Sequence, residues 1–258
     1  MVLYAATIFT SAFLLFAVQP VIAKAILPWF GGTAAVWTTC LLFFQTVLLG
    51  GYVYAHWTIR RLPGRAQAIL HIALLVACLA LLPVGPGTRW KPAGNEDPIP
   101  RILALLATSV GLPYFLLSAT GPLVQAWFAR TTQGALPYRL YALSNLGSML
   151  ALLGYPVAIE PLLSIRNQLR LWSGGFAVFV ILCAAVAWRA RASKAAEETA
   201  GPDTVVSPKD RALWLLLAAV PSLLLLAVTN HLCQNVAAIP FLWVLPLALY
   251  LLTFILCF

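Results

Sequence analysis

The chain predicts an all-α fold, a polytopic transmembrane helical bundle of about eight spans. Two observations carry that prediction. Apolar runs recur along the 258 residues, and a helix needs roughly 20 mostly apolar residues to cross a bilayer. Composition agrees: 62% of residues are hydrophobic, 9% are charged and the mean hydropathy is +0.92, whereas about a quarter of an ordinary soluble domain is charged. A transmembrane barrel would show alternating segments of about 10 residues, and the sequence has none.

Hydropathy, punctuated by Pro, Gly and charge, places spans near Leu3–Leu27, Ala34–Trp57, Ala66–Pro83 and Ile102–Phe128, then Tyr138–Ile159, Leu171–Trp188, Ala212–Thr229 and Val236–Phe258. The first imitates a secretory signal at Ala23-Lys24-Ala25, but it lacks a basic leading segment and runs too long, so it is a retained span. Val84–Pro100, rich in Pro and Gly, reads as an irregular loop. The fourth span carries Thr108, Ser109, Gly111, Pro113, Ser118, Thr120, Gly121, Pro122 and Gln125. That content predicts a kinked, partly broken helix, the kind of place where transporters hold substrate. In the fifth, Ser144, Gly147, Ala151 and Gly154 share one helical face. Small residues there let a second helix approach closely, with Asn145 and Ser148 placed to hydrogen-bond across the contact.

Arg189–Arg211 mixes both charges with Ala, Pro and Ser and reads as a flexible cytoplasmic linker. It divides the chain into a six-span region (1–188), the linker (189–211) and two further spans (212–258). Between the last two spans, Thr229–Asn235 reads as a short polar turn with Asn235 as the N-cap of the final helix. The chain stops at Leu256-Cys257-Phe258 inside an apolar run, which is expected of one region of a longer protein.

Orientation follows from Lys and Arg in short loops. One side holds Arg60, Arg61, Arg65, Arg130, Arg139, Arg189, Arg191, Lys194, Lys209 and Arg211; the other holds only Lys24, Arg89, Lys91, Arg101, Arg166 and Arg170. The richer side is expected in the cytoplasm, and both termini with it. These loops account for the net charge of +9, and no clustered basic face with aromatics suggests nucleic-acid binding.

Polar groups within a bilayer are expensive and therefore candidates for function. Pro20 interrupts the first span, where Gln19 can satisfy exposed backbone, and Lys24 can either snorkel to the interface or meet Glu160, the one acid close to a span. A Lys24–Glu160 pair would form an outer gate or hold part of an amino or carboxylate cargo. Gln125, Asn145, Asn230, His231 and Gln234 complete the candidate polar pathway, with His231 able to titrate near neutrality. His71 reads as a packed core residue and His56 as interfacial. The five cysteines contain no CxxC spacing, and no metal or cofactor site is expected. With seven acids and no GxGxxG, Walker loop or HExxH, the chain alone is not expected to be an enzyme.

Ser11–His56 contains Gln19-Pro20-x3-Lys24, Pro28-Trp29-Phe30-Gly31-Gly32, Val36-Trp37 and Tyr52-x-Tyr54-Ala55-His56. This stretch resembles the membrane part of bacterial proteins called fused MFS/spermidine synthase. Leu112–Arg130, Pro137–Ser148 and Ala237–Leu249 look similar too, so the resemblance spreads over about half the chain. It implies an inner-membrane region that anchors a C-terminal spermidine-synthase-like domain, absent from these residues, and that passes a polyamine or other small cation. The loop after the second span, Arg60-Arg61-Leu62-Pro63-Gly64-Arg65, is basic but lacks the Asp and leading Gly usual in major facilitators. A stand-alone small-molecule transporter or permease is the alternative reading.

Overall fold

The computed structural model describes residues 1–92, 97–131, 138–191, 207–235 and 240–257. Among them there is helix and no strand. The helices are α1 (Val2–Phe30), α2 (Ala34–Arg61), α3 (Gly64–Leu79), α4 (Pro98–Leu106), α5 (Leu112–Thr131), α6 (Tyr138–Gly154), α7 (Glu160–Leu162), α8 (Ile165–Ala190), α9 (Pro208–Asn235) and α10 (Pro240–Cys257). π-helical turns at Ala107–Gly111 and Tyr155–Ile159 join α4 to α5 and α6 to α7, so each pair forms a single rod. Six helices are long and apolar enough to cross a membrane, and two shorter apolar ones, in α3 and α10, occupy the other expected positions. The chain is a multi-pass helical membrane bundle.

Local chemistry sets the boundaries. Gly31 ends α1 at φ 77°, a left-handed conformation that costs glycine little, and its N–H reaches Leu27 O. Thr33, Asp97 and Ser164 cap α2, α4 and α8 by accepting from Val36 N, Ile99 N and Asn167 N. The Ser164 cap explains why α8 begins at Ile165, ahead of the expected Leu171, and the Asp97-Pro98 start turns the end of the expected Val84–Pro100 loop into helix.

Two expectations need correction. Thr229–Asn235 is not a turn: α9 continues through Asn235, because nothing in that segment removes a helical donor. Its last side chains, and residues 236–239 where the final span was expected to begin, lie outside the described residues, as do 192–206 of the linker and Phe258. The fourth span is one continuous rod, irregular as expected only at the π turn Ala107–Gly111. Thr108, Ser118 and Thr120 return their hydroxyls to Ala104 O, Phe115 O and Leu116 O, and the wider π turn accommodates the ring of Pro113.

The core lies around α1, which packs against α5, α6 and α8. Val18, Ile22 and Ile26 of α1 join Leu106, Val110, Tyr114 and Leu117 of the α4–α5 rod, Phe44 of α2, and Phe176 and Phe179 of α8. α10 packs on α6, with Phe254 edge-on to Tyr141. α9 stands at the rim of the described residues on α10, its most apolar stretch entirely unburied.

Since lipid is as apolar as leucine, close approach rather than hydrophobic burial holds such helices together. A Cβ on Gly51 would collide with Ser118 Oγ and lie 2.9 Å from Phe115 O, while one on Gly147 would lie 2.9 Å from Phe9 O. The small face of α6 therefore does receive α1 at Gly147, although Asn145 and Ser148 bond back to Tyr141 O and Ser144 O of their own helix. Gly154 has nothing near its missing Cβ. Gly51→Ala and Gly147→Ala should each lower stability by roughly 1–3 kcal/mol, whereas Gly154→Ala should be neutral or better. Thermal unfolding in detergent, followed by tryptophan fluorescence, separates the two classes.

Candidate functional site

The polar residues of α1 each reach a different part of the bundle. Ser11 Oγ donates to Leu117 O of α5 at 3.0 Å, and Trp172 Nε1 of α8 donates to Leu14 O at 2.8 Å. One turn on, Gln19 Nε2 donates to the Tyr114 hydroxyl at 3.2 Å and makes a longer contact of 3.5 Å with Leu15 O. Gln19 is thus chiefly a cross-helix link to α5 and only weakly a backbone cap. Tyr155, at the start of the second π turn, directs its hydroxyl to Pro20 O at 3.4 Å and to Gln168 Oε1 at 3.2 Å. Gln168 Nε2 is anchored on Leu163 O at 2.8 Å, which turns its carbonyl oxygen toward Tyr155.

Lys24 lies one turn beyond Pro20. It does not snorkel away: Nζ donates to Glu160 Oε1 at 2.8 Å, an ion pair between residues far apart in sequence. The side chains remain 38% and 43% exposed, so interfacial water or headgroups reach both charges and the pair is worth about 0–1 kcal/mol. Gln19, Lys24 and Glu160 therefore share one region, joined through Pro20 and Tyr155. Gln125 is half-buried on α5 and makes no hydrogen bond among the described residues. Asn145, inside α6, donates to Tyr141 O of its own helix. Asn230 and His231 are exposed on α9 at the rim, and the side chain of Gln234 lies outside the described residues.

Toward the opposite end, a second polar cluster centres on two buried side chains of α3, Gln67 and His71. Gln67 of α3 donates to Thr58 O, Ile59 O and Leu62 O, closing the last turn of α2, and accepts from Trp127 Nε1 and Arg130 Nη1 of α5. One turn along α3, His71 is wholly buried as expected, with Nδ1 3.4 Å from the Tyr54 hydroxyl and Nε2 unpartnered. Sequence reading missed Gln67, Tyr114, Tyr155, Gln168 and Trp172, because a lone amide or phenol on an apolar helix has no local pattern. Proline is the one usable signal: Tyr114 and Tyr155 each adjoin a helix-interior Pro.

Among the described residues no group of His, Cys, Asp or Glu is placed to hold a metal ion. The cysteines at 40, 78 and 183 are free and buried, and that at 257 is free and exposed. The described polar groups bind backbone, link helices and include the half-exposed Lys24–Glu160 ion pair.

Three substitutions separate these roles. Gln67→Leu should cost about 2–4 kcal/mol, since it strands several buried donors and acceptors at once. His71→Phe should move stability by about 1 kcal/mol or less, because losing the orphaned Nε2 offsets the larger ring and the lost long contact to Tyr54. Glu160→Gln should move stability by less than about 1 kcal/mol. Denaturation midpoints in one detergent test all three. Compared with family models, curated proteins and solved structures, the chain has no match.

Proposed function

We propose that this chain is the membrane region of a protein of the fused MFS/spermidine synthase kind, seated in a bacterial inner membrane with both termini in the cytoplasm. In this reading it anchors a cytoplasmic spermidine-synthase-like domain, and its Lys24–Glu160 pair is an outer gate for a polyamine or other small cation. The observation that carries the reading is the behaviour of Gln19-Pro20-x3-Lys24. Each of its named residues leaves α1 for a neighbouring rod: Gln19 meets Tyr114 of α5, while Pro20 O meets Tyr155 and Lys24 meets Glu160, both on the α6–α7 rod.

Two further points support it. The blocks that carry the resemblance are scattered in sequence, yet the helices they belong to pack together: α1 on α5 and α6, α2 on α5, and α10 on α6. A gate must also open at small cost, and a half-exposed pair worth about 1 kcal/mol or less meets that requirement. When Lys24 swings aside, Glu160 offers a carboxylate to an incoming cation.

Purified protein in liposomes, loaded with radiolabelled spermidine, tests the reading. Saturable flux that falls about tenfold or more in Glu160→Gln, with the fold intact, is the expected result. Absence of flux in the unaltered protein would remove the gate and leave the anchoring role, which is checked separately by isolating the native protein and assaying aminopropyl transfer.

A further inference from the structure

Three rods that meet near the Lys24–Glu160 pair carry a proline within their length, and two of them leave regular α geometry beside it. α1 carries Pro20 in its interior, the α4–α5 rod carries the π turn Ala107–Gly111 directly before Pro113, and the α6–α7 rod carries the π turn Tyr155–Ile159 around Pro156. An interior proline lacks a donor and its ring crowds the carbonyl four residues earlier; one extra residue in the turn relieves that crowding. Such places bend more readily than intact helix. What sets this molecule apart is that the three places are bonded to each other. Gln19 Nε2 reaches Tyr114, the residue after Pro113, and the Tyr155 hydroxyl reaches Pro20 O.

The Tyr155 bond has a second property. A phenol has one proton to donate, and two acceptors lie within range: Pro20 O of α1 and Gln168 Oε1 of α8. A proton given to one is withheld from the other. The hydroxyl is thus shared between α1, at its proline, and α8.

We propose that Pro20, Pro113 and Pro156 with their two π turns form one coupled hinge, latched by Tyr155, on which the outer ends of α1 and α7 swing apart to break the Lys24–Glu160 contact. Lys24 and Glu160 each lie four residues past a hinge proline, a lever of about 6 Å. A further bend of about 20° moves such a tip by roughly 2 Å, enough to take a 2.8 Å contact beyond ion-pair range. The inference rests on the gate reading above for its purpose, although the coupling itself is a separate property.

Hydrogen–deuterium exchange on the full chain in nanodiscs tests it without labels. Pro20→Ala restores a helical donor to α1 and should slow exchange there. If the hinge is coupled, the same substitution also slows exchange about tenfold in Ala107–Gly111 and Tyr155–Leu162, on other rods. Adding Tyr155→Phe should confine the effect of Pro20→Ala to α1 and the α4–α5 rod. Slowing confined to α1 in Pro20→Ala alone overturns the proposal, as does a Tyr155–Leu162 effect that persists without the hydroxyl. Should Pro20→Ala not fold, Pro156→Ala gives the same test in reverse, read out in α1. Coupled exchange without spermidine flux would leave the hinge standing and remove the cation gate; flux dependent on Glu160 with purely local exchange would do the opposite.

Discussion

Hydrocarbon offers no water to a polar group, and that single constraint organises the bundle. Each main-chain or side-chain donor inside it must find a protein acceptor or carry a penalty of several kcal/mol. The hydroxyls of Thr7, Thr39, Thr46 and Thr58 solve the problem locally by turning to carbonyls of their own helices. Other side chains solve it by crossing to a neighbour, and two helices gather those crossings: α3 through Gln67, and α1. Ser11, Leu14, Gln19, Pro20 and Lys24 connect α1 with α5, α6–α7 and α8, so a line of polar contacts runs along it from one end to the other. α1 is thereby placed by direction-specific bonds, where apolar contact alone would let it slide or rotate.

The polar groups divide into two populations with different energetics. Those around Gln67 are buried and saturated, and they fix the α2–α3 connection against α5. The Lys24–Glu160 pair is half-exposed and weak, and beside it the buried Tyr155 hydroxyl has two acceptors within reach. The saturated amide cluster and the exposed ion pair thus stand at different ends of the bundle. His71 is the exception at the saturated end: its unpartnered Nε2 is a cost the rest of that cluster absorbs.

The fold class was legible because bilayer thickness imposes a minimum apolar length, and composition alone reveals that. Caps at Asp97 and Ser164 were less visible, since a lone Asp or Ser beside an apolar run is ambiguous until the helix is seen. Thr229–Asn235 misled for the same reason: polar residues suit both a turn and a helix end at the headgroups. Lys24 and Glu160 stood out because charge near a span is rare, so one distance completed that pair. Tyr114, Tyr155 and Gln67 were invisible because their significance depends on which helices are neighbours, and nothing in residue spacing reports neighbours between α1, α5 and α6.

The lone position of α9 has a consequence for how the molecule responds to its surroundings. With no buried residue in its apolar stretch and α10 as its main packing partner, it is the described helix whose tilt a bilayer is freest to set. Ala212–Thr229 makes a helical rod of roughly 27 Å, nearly upright in an ordinary bilayer and forced to lean in a thinner one. The inner helices, locked by their contacts, do not share that response. α9 leans on α10, and α10 lies along α6, so a change in membrane thickness enters this protein from one flank and meets the α6–α7 rod, which carries Glu160, before any other part of the core.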